Sequence, residues 1–137
     1  QMETDRNGDT DRVTILIDTN AFLIAAQFKI EHLDELKWML GSVRIVVPEI
    51  VIKELEGLAK GRGNHAASAR LGLQFARRCE IIKSSGDSAP DDQILLSAKD
   101  LNCGVVTNDR RLRGQVLSAG LPVVCLAGKQ KLELIRR

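Results

Sequence analysis

Residues 15–20 read ILIDTN, and residues 21–24, AFLI, resume the apolar pattern. An apolar run ends in an acid, two small polar residues follow, and apolar residues return. A strand buried on both faces reads as a near-continuous Val/Ile/Leu run, and Asp is a favoured helix N-cap. The stretch therefore reads as a buried strand passing into a helix, with Asp18 at the junction. Two roles are open to that acid: capping the helix, or holding a metal ion at the mouth of a parallel sheet. One junction alone does not decide, so the equivalent junctions elsewhere in the chain carry the question.

The same alternation recurs along the sequence. Short Val- and Ile-rich runs occupy Val13–Ile17, Val43–Val47, Glu80–Lys83, Gly104–Thr107 and Pro122–Leu126. Helical patterns lie between them at about 19–40 (two helices, broken near Ile30), 48–60, 64–79, 90–101 and 109–119. Pro48 and Pro90 suit first-turn positions, and Gly104 and Gly120 suit helix exits. Strands alternating with helices predict an α/β domain. The expected architecture is a three-layer α/β/α sandwich around a mainly parallel sheet of about five strands, wound as in Rossmann-like folds. The tail GKQKLELIRR, residues 128–137, reads as a last short strand or helix.

Bulk properties narrow the classes. The 137 residues suit one domain, 12–137, preceded by a polar and loosely ordered segment, 1–11. A hydrophobic fraction of 44% and a charged fraction of 28% are those of a globular chain. No apolar run approaches the ~18 residues of a membrane span, and the N-terminus lacks the basic-then-apolar pattern of a signal peptide. The three cysteines, Cys79, Cys103 and Cys125, sit beside apolar residues and form no CxxC. They read as small buried thiols in a reducing, cytoplasmic compartment. With two histidines besides, a structural zinc site is not expected. Four aromatic residues and no Tyr exclude a platform of stacked rings for nucleobases. A net charge of +2 is compatible with a polyanionic partner without singling one out.

Ligands of open α/β sheets bind beyond the C-terminal ends of the strands. Asp18 follows the first run there, and Asn108-Asp109 follow the fourth. The helix after the second run carries Glu49, Glu54 and Glu56, and the helix opening at Pro90 has Asp91 and Asp92 in its first turn. Each acid has an ordinary alternative. Capping explains Asp18 and Asp109, and the helix dipole favours Asp91 and Asp92. Glu49 and Glu56 have Lys53 and Lys60 four residues on, as solvent-face pairs do. Glu54 differs. Its neighbours at the same spacing are Ile50 and Leu58, which puts it beside the apolar stripe without a basic helical neighbour. It needs a metal or a distant Lys or Arg as partner. Clustered carboxylates repel one another unless a cation neutralises them, and hard Mg²⁺ or Mn²⁺ suits oxygen donors.

These residues resemble the PIN-domain nucleases over about 13–126. ILIDTNAFL is similar to the family's opening strand, and VVPEIVIKELEGLAKG (46–61) resembles its second motif, with Glu54 as the helical acid. PDDQILLSA (90–98) resembles the third, where the acid precedes an aliphatic pair by three residues; that register selects Asp92 over Asp91. VVTNDRRLRGQV (105–116) resembles the fourth, Thr-x-Asp, and selects Asp109. The last segment also resembles ribosome-processing PIN proteins. The resemblance implies Mg²⁺- or Mn²⁺-dependent hydrolysis of RNA, single-stranded in the first instance, with one or two ions held by Asp18, Glu54, Asp92 and Asp109. Asn20 and Thr107 would position ligands or phosphate, with Asp91 as a further candidate. Lys60, Arg62, Arg110 and Arg111 are candidate phosphate contacts. A toxin with an antitoxin partner and a processing factor in a ribonucleoprotein are both compatible, and the family implies homodimers. The competing class is a catalytically silent RNA-binding or scaffolding module. A phosphatase of the haloacid-dehalogenase type would need Asp-x-Asp where this chain has Asp18-Thr19-Asn20, and dinucleotide binding would need a Gly-rich first turn.

Overall fold

The computed structural model describes residues 13–27, 38–84, 89–127 and 131–136. The expectations for 1–11 and for a helix break near Ile30 lie outside these residues. The elements are β1 (Val13–Ile17), α1 (Thr19–Gln27), β2 (Val43–Pro48), α2 (Glu49–Ala59), α3 (Asn64–Ala76), β3 (Glu80–Ile82), α4 (Pro90–Leu101), β4 (Gly104–Val106), α5 (Arg110–Ser118), β5 (Val123–Ala127) and β6 (Lys131–Ile135). They build a six-stranded sheet in the order β3-β2-β1-β4-β5-β6. The first five strands run parallel, and β6 returns antiparallel to β5, with Val124 opposite Leu134. The tail is thus a sixth strand, one more than expected.

From β1 the chain winds outward through β2 to β3, then crosses back and winds the other way through β4 to β5. Parallel crossovers are right-handed, so this reversal puts α1, α2 and α3 on one face and α4 and α5 on the other. Within those layers α1 and α2 pack on α3, and α4 packs on α5. The continuous apolar runs are explained by this double cover. Leu16, Val46, Val47, Val105, Val123 and Val124 are fully buried, while Val51 and Leu55 of α2 and Leu112 and Val116 of α5 seal the sheet from the helices.

Two punctuation residues act differently from the sequence reading. Pro48 ends β2 and stands as the N-cap of α2, one residue ahead of the first turn, whereas Pro90 does open α4. Gly120, with φ +82°, makes a helix exit as expected. Gly104 does not. Left-handed Asn102 (φ 51°) terminates α4, and Gly104 is already in β4. What Gly104 provides is space: a Cβ there would stand 3.1 Å from Ile15 Cδ1 and 3.1 Å from both Cγ and the carbonyl oxygen of Pro122. β4 is the strand that must fit beside β1. Gly104→Ala is expected to lower unfolding stability by about 1–3 kcal/mol through this overpacking. Urea denaturation checks it, and an unchanged midpoint would show that the neighbours yield freely.

Candidate active site

β1 and β4 are neighbours whose following connections depart in opposite directions, which leaves a crevice beyond their C-terminal ends. Ile17 pairs with Val106, so the residues next in line, Asp18 and Thr107, emerge together. Asp18 is only 5% exposed and Thr107 is fully buried. The Ala21 N–H donates to Asp18 Oδ1 at 2.7 Å, and the Thr107 hydroxyl donates to Oδ2 at 2.5 Å. Asp18 therefore caps α1 and lines the crevice at once, so capping leaves it in place for the second role read from ILIDTN. The Thr107 oxygen in turn accepts the Asp109 N–H at 3.1 Å, which ties the ends of β1 and β4 into one relay.

Glu54 comes from the middle of α2. Side chains from other elements pin both ends of that helix. Ser84 Oγ accepts the Ile50 N–H at 2.8 Å, and Arg70 donates to the Ala59 carbonyl at 2.7 Å. Glu56 pairs with Arg77 of α3 at 3.0 Å, across the helices rather than along α2. The partner Glu54 needed is the Thr19 hydroxyl, 2.6 Å from Oε1. Nothing in the local sequence singles out Thr19 for that role. A hydrogen bond spanning 35 residues leaves no local trace, and the only signal was its place between Asp18 and Asn20. Asp109 is the N-cap of α5: its Oδ1 accepts the N–H groups of Arg111 at 2.8 Å and Leu112 at 3.1 Å. Its Oδ2 takes neither bond.

A cavity of about 270 Å³ collects these acids, with Asp18, Asn20, Glu54, His65, Asp91 and Asp109 in its lining. Of the acidic pair on α4 it is Asp91 that reaches this cavity. Asp92 lines an adjoining one of about 330 Å³, together with Glu54, Asp91 and Arg111. The helical register explains the difference. Asp91 shares a face with Ile94 and Ala98, both buried, whereas Asp92 lies over Leu95 and the 42%-exposed Leu96. Counting three residues to an aliphatic pair fits Asp91 with Ile94-Leu95 as well as Asp92 with Leu95-Leu96, so spacing alone could not choose. His65 stands in the first turn of α3 and lines the acid cavity as well. Arg111 lines the adjoining cavity, and Arg110 lies beyond it in a groove between α4 and α5. Lys60 and Arg62 are exposed before α3 and line none of these cavities.

Burial pushes the Asp18 carboxyl from 3.8 up to about 6. The hydrogen bonds from Thr107 and Ala21 oppose that rise, and the charges of Asp91 and Asp109 add to it. Asp91 is also raised, first by desolvation and then by Asp109, with Arg111 opposing. A buried acid flanked by two others is unfavourable as an anion unless a cation stands among them. Among the described residues no three His, Cys, Asp or Glu side chains converge closely enough to enclose an ion by themselves. The acids ring the cavity instead. That arrangement fits a hard ion which keeps several waters and takes one or two carboxylates directly, as Mg²⁺ does. The thiols stand apart from this chemistry: Cys103 and Cys125 are buried, Cys79 is half-buried, and burial pushes Cys103 up to about 11.

A family model described as a PIN-like domain matches residues 15–129. The ribonuclease VapC9 of Archaeoglobus fulgidus is 27% identical over 123 residues, 89% of this chain and 89% of that protein. The ribonuclease VapC4 of Methanocaldococcus jannaschii is 28% identical over 125 residues, 88% and 95% of the two chains. Among solved structures, the PIN domain endonuclease Utp24 superposes with a TM-score of 0.78 at 26% identity, covering 93% of this chain and 94% of that one. VapBC2 from Rickettsia felis, bound to a DNA fragment from its promoter, shares the fold at a TM-score of 0.63 and 18% identity, over 84% of this chain and 100% of that one.

The ionisation of Asp18 makes a prediction about stability. Its folded value lies above its unfolded one, so its contribution is fully present below about 3.8 and is lost as pH rises through about 6. At ~1.4 kcal/mol per pK unit, the anion costs the metal-free fold about 3 kcal/mol at neutral pH. Asp18→Asn keeps an oxygen for the Ala21 N–H and removes the charge. In chelator at pH 7.5 the variant is expected to unfold at higher urea than wild type, with the gap closing towards pH 4. A wild type as stable as the variant at pH 7.5 would show that the anion is not strained.

Proposed function

We propose that this chain, which belongs to the PIN-like domain family, is a divalent-metal-dependent endoribonuclease that hydrolyses phosphodiester bonds in single-stranded RNA. One observation supports the reading above the rest: carboxylates from four separate segments line one cavity at the switch point of the sheet, and the innermost is buried. Capping α1 needs only one acceptor oxygen and no charge, so it does not by itself account for a carboxylate at that depth. The relatives named ribonuclease and endonuclease point the same way.

Asp18, Glu54, Asp91 and Asp109 would hold Mg²⁺ or Mn²⁺, directly or through water, with Asp92 at the outer edge. When bound, one or two such ions supply charge relief at the phosphoryl oxygens and lower the pKa of the attacking water. The chain's own part is orientation. In Glu54 and Asp109 the fold occupies one oxygen, through Thr19 and through the first turn of α5, and so aims the other. In Asp18 both oxygens are held, each by one donor, which leaves a lone pair on each to face the cavity. The acids are thereby fixed without being neutralised, and little reorganisation remains when charge develops. Asn20 lines the cavity and can hydrogen-bond a phosphate or a water. Arg111 sets a positive charge beside Asp91. Likeness to the VapC ribonucleases and to the Utp24 endonuclease supports the nuclease itself; the same site would serve a toxin with an antitoxin partner or an RNA-processing factor.

The test is cleavage of a labelled single-stranded RNA with Mn²⁺ or Mg²⁺, with a chelator control. Asp18→Asn and Asp109→Asn are each expected to lose about 100-fold or more in rate, as when a transition-state contact is removed. Mn²⁺ should raise the melting temperature of wild type and not of Asp18→Asn. Asp91→Asn should lose far more activity than Asp92→Asn; the reverse order would return the role to Asp92. A folded wild type that neither cleaves RNA nor gains stability with Mn²⁺ would support the silent-module reading instead.

A further inference from the structure

Resting on the nuclease reading, we propose that the RNA strand crosses the acidic cavity along one continuous track and is gripped by its phosphates on one flank only, by Lys99, Arg110 and Arg111. The track is traced by shared walls. Glu54 and Asp91 line both the acid cavity and its neighbour. Arg111 and Gln115 line both that neighbour and a groove of about 540 Å³ between α4 and α5, to which Lys99 and Arg110 also belong. In the opposite direction, Asn20, Leu23 and His65 join the acid cavity to another of about 350 Å³, completed by Ile24, Asn64 and Ser68. Among the described residues, no Lys or Arg lines that fourth cavity.

Among the described residues, charge along the track is therefore asymmetric: three cations stand on one side, acids in the middle, and Asn64, His65 and Ser68 on the other side. Cations beside an acidic centre offset its repulsion of a polyanion, more strongly the nearer they stand. The α4–α5 groove places its cations on walls that continue from the acids. Its floor includes Gly114, whose missing side chain leaves open space, so a backbone can lie close to the helix. The neutral flank offers Asn and Ser groups, which suit sugar or base edges better than phosphate.

The measurement is fluorescence-anisotropy titration of a short labelled single-stranded RNA over a salt series, in the Asp18→Asn background to prevent cleavage. Lys99→Ala with Arg110→Ala is expected to weaken binding at least tenfold. Each lost phosphate contact should reduce the salt slope by about 0.7, so the pair should reduce it by about 1.4. Arg111 is left intact because it also faces Asp91. Lys60→Ala with Arg62→Ala, the exposed cations off the track, should leave the slope unchanged. RNA with neutral methylphosphonate linkages on one side of the cleavage point should lose affinity, and RNA modified on the other side should not. An unchanged slope in the Lys99/Arg110 variant, an equal loss in the Lys60/Arg62 variant, or equal sensitivity on both sides would each overturn the proposal. Cleavage by wild type with an unchanged slope would defeat the one-flank grip and leave the nuclease standing. The expected slopes without metal-dependent cleavage would defeat the nuclease and keep the track.

Discussion

The structure turns on one carboxylate placed where carboxylates are costly. Asp18 sits at the end of the central strand, almost out of reach of water, and its burial raises its pKa to about 6. Both oxygens are occupied, by the Ala21 N–H and the Thr107 hydroxyl. Those contacts come from the next helix and from the adjacent strand, so the acid sits correctly only when β1, α1 and β4 are assembled. Held charge of this kind weakens a metal-free fold, and proteins keep it where it serves a site.

The remaining acids are placed by the same assembly. The winding reversal sets the β1 and β4 ends side by side, and the relay from the Asp109 amide through Thr107 to Asp18 spans them. α2 enters from one helical layer and α4 from the other, and they meet at this edge. Glu54 is fixed through Thr19, and α2 is fixed in turn by Ser84, Arg70 and Arg77. The acids thus have little freedom to separate despite their repulsion. A ring of carboxylates that cannot spread suits a hydrated divalent ion, the chemistry expected of a nuclease in this family.

Capping and cavity lining share residues here. Asp18 and Asp109 each start a helix, and each lines the acid cavity. In Asp109 the helix N-terminus holds one oxygen and leaves the other outside the cap, whereas in Asp18 the second oxygen is held by Thr107. The local sequence marks both acids as candidates without separating a cap from a cap that also lines a cavity.

The alternation of Val/Ile runs with helical patterns was enough to determine an α/β domain with a parallel sheet, because a strand covered on both faces is built almost wholly of apolar residues and records that in the chain. It also marked Asp18, Glu54 and Asp109, each from its local position: after a strand, or on an apolar stripe. Periodicity could not separate Asp91 from Asp92. Both sit in a first turn, both precede aliphatic pairs by three residues, and only the burial of Ile94 and Ala98 shows which face turns inward. The Thr19–Glu54 bond, the place of His65 and the position of Lys99 beside Arg110 and Arg111 likewise belong to tertiary structure alone. They join residues tens of positions apart, and a local pattern carries no information about which distant side chain will face it.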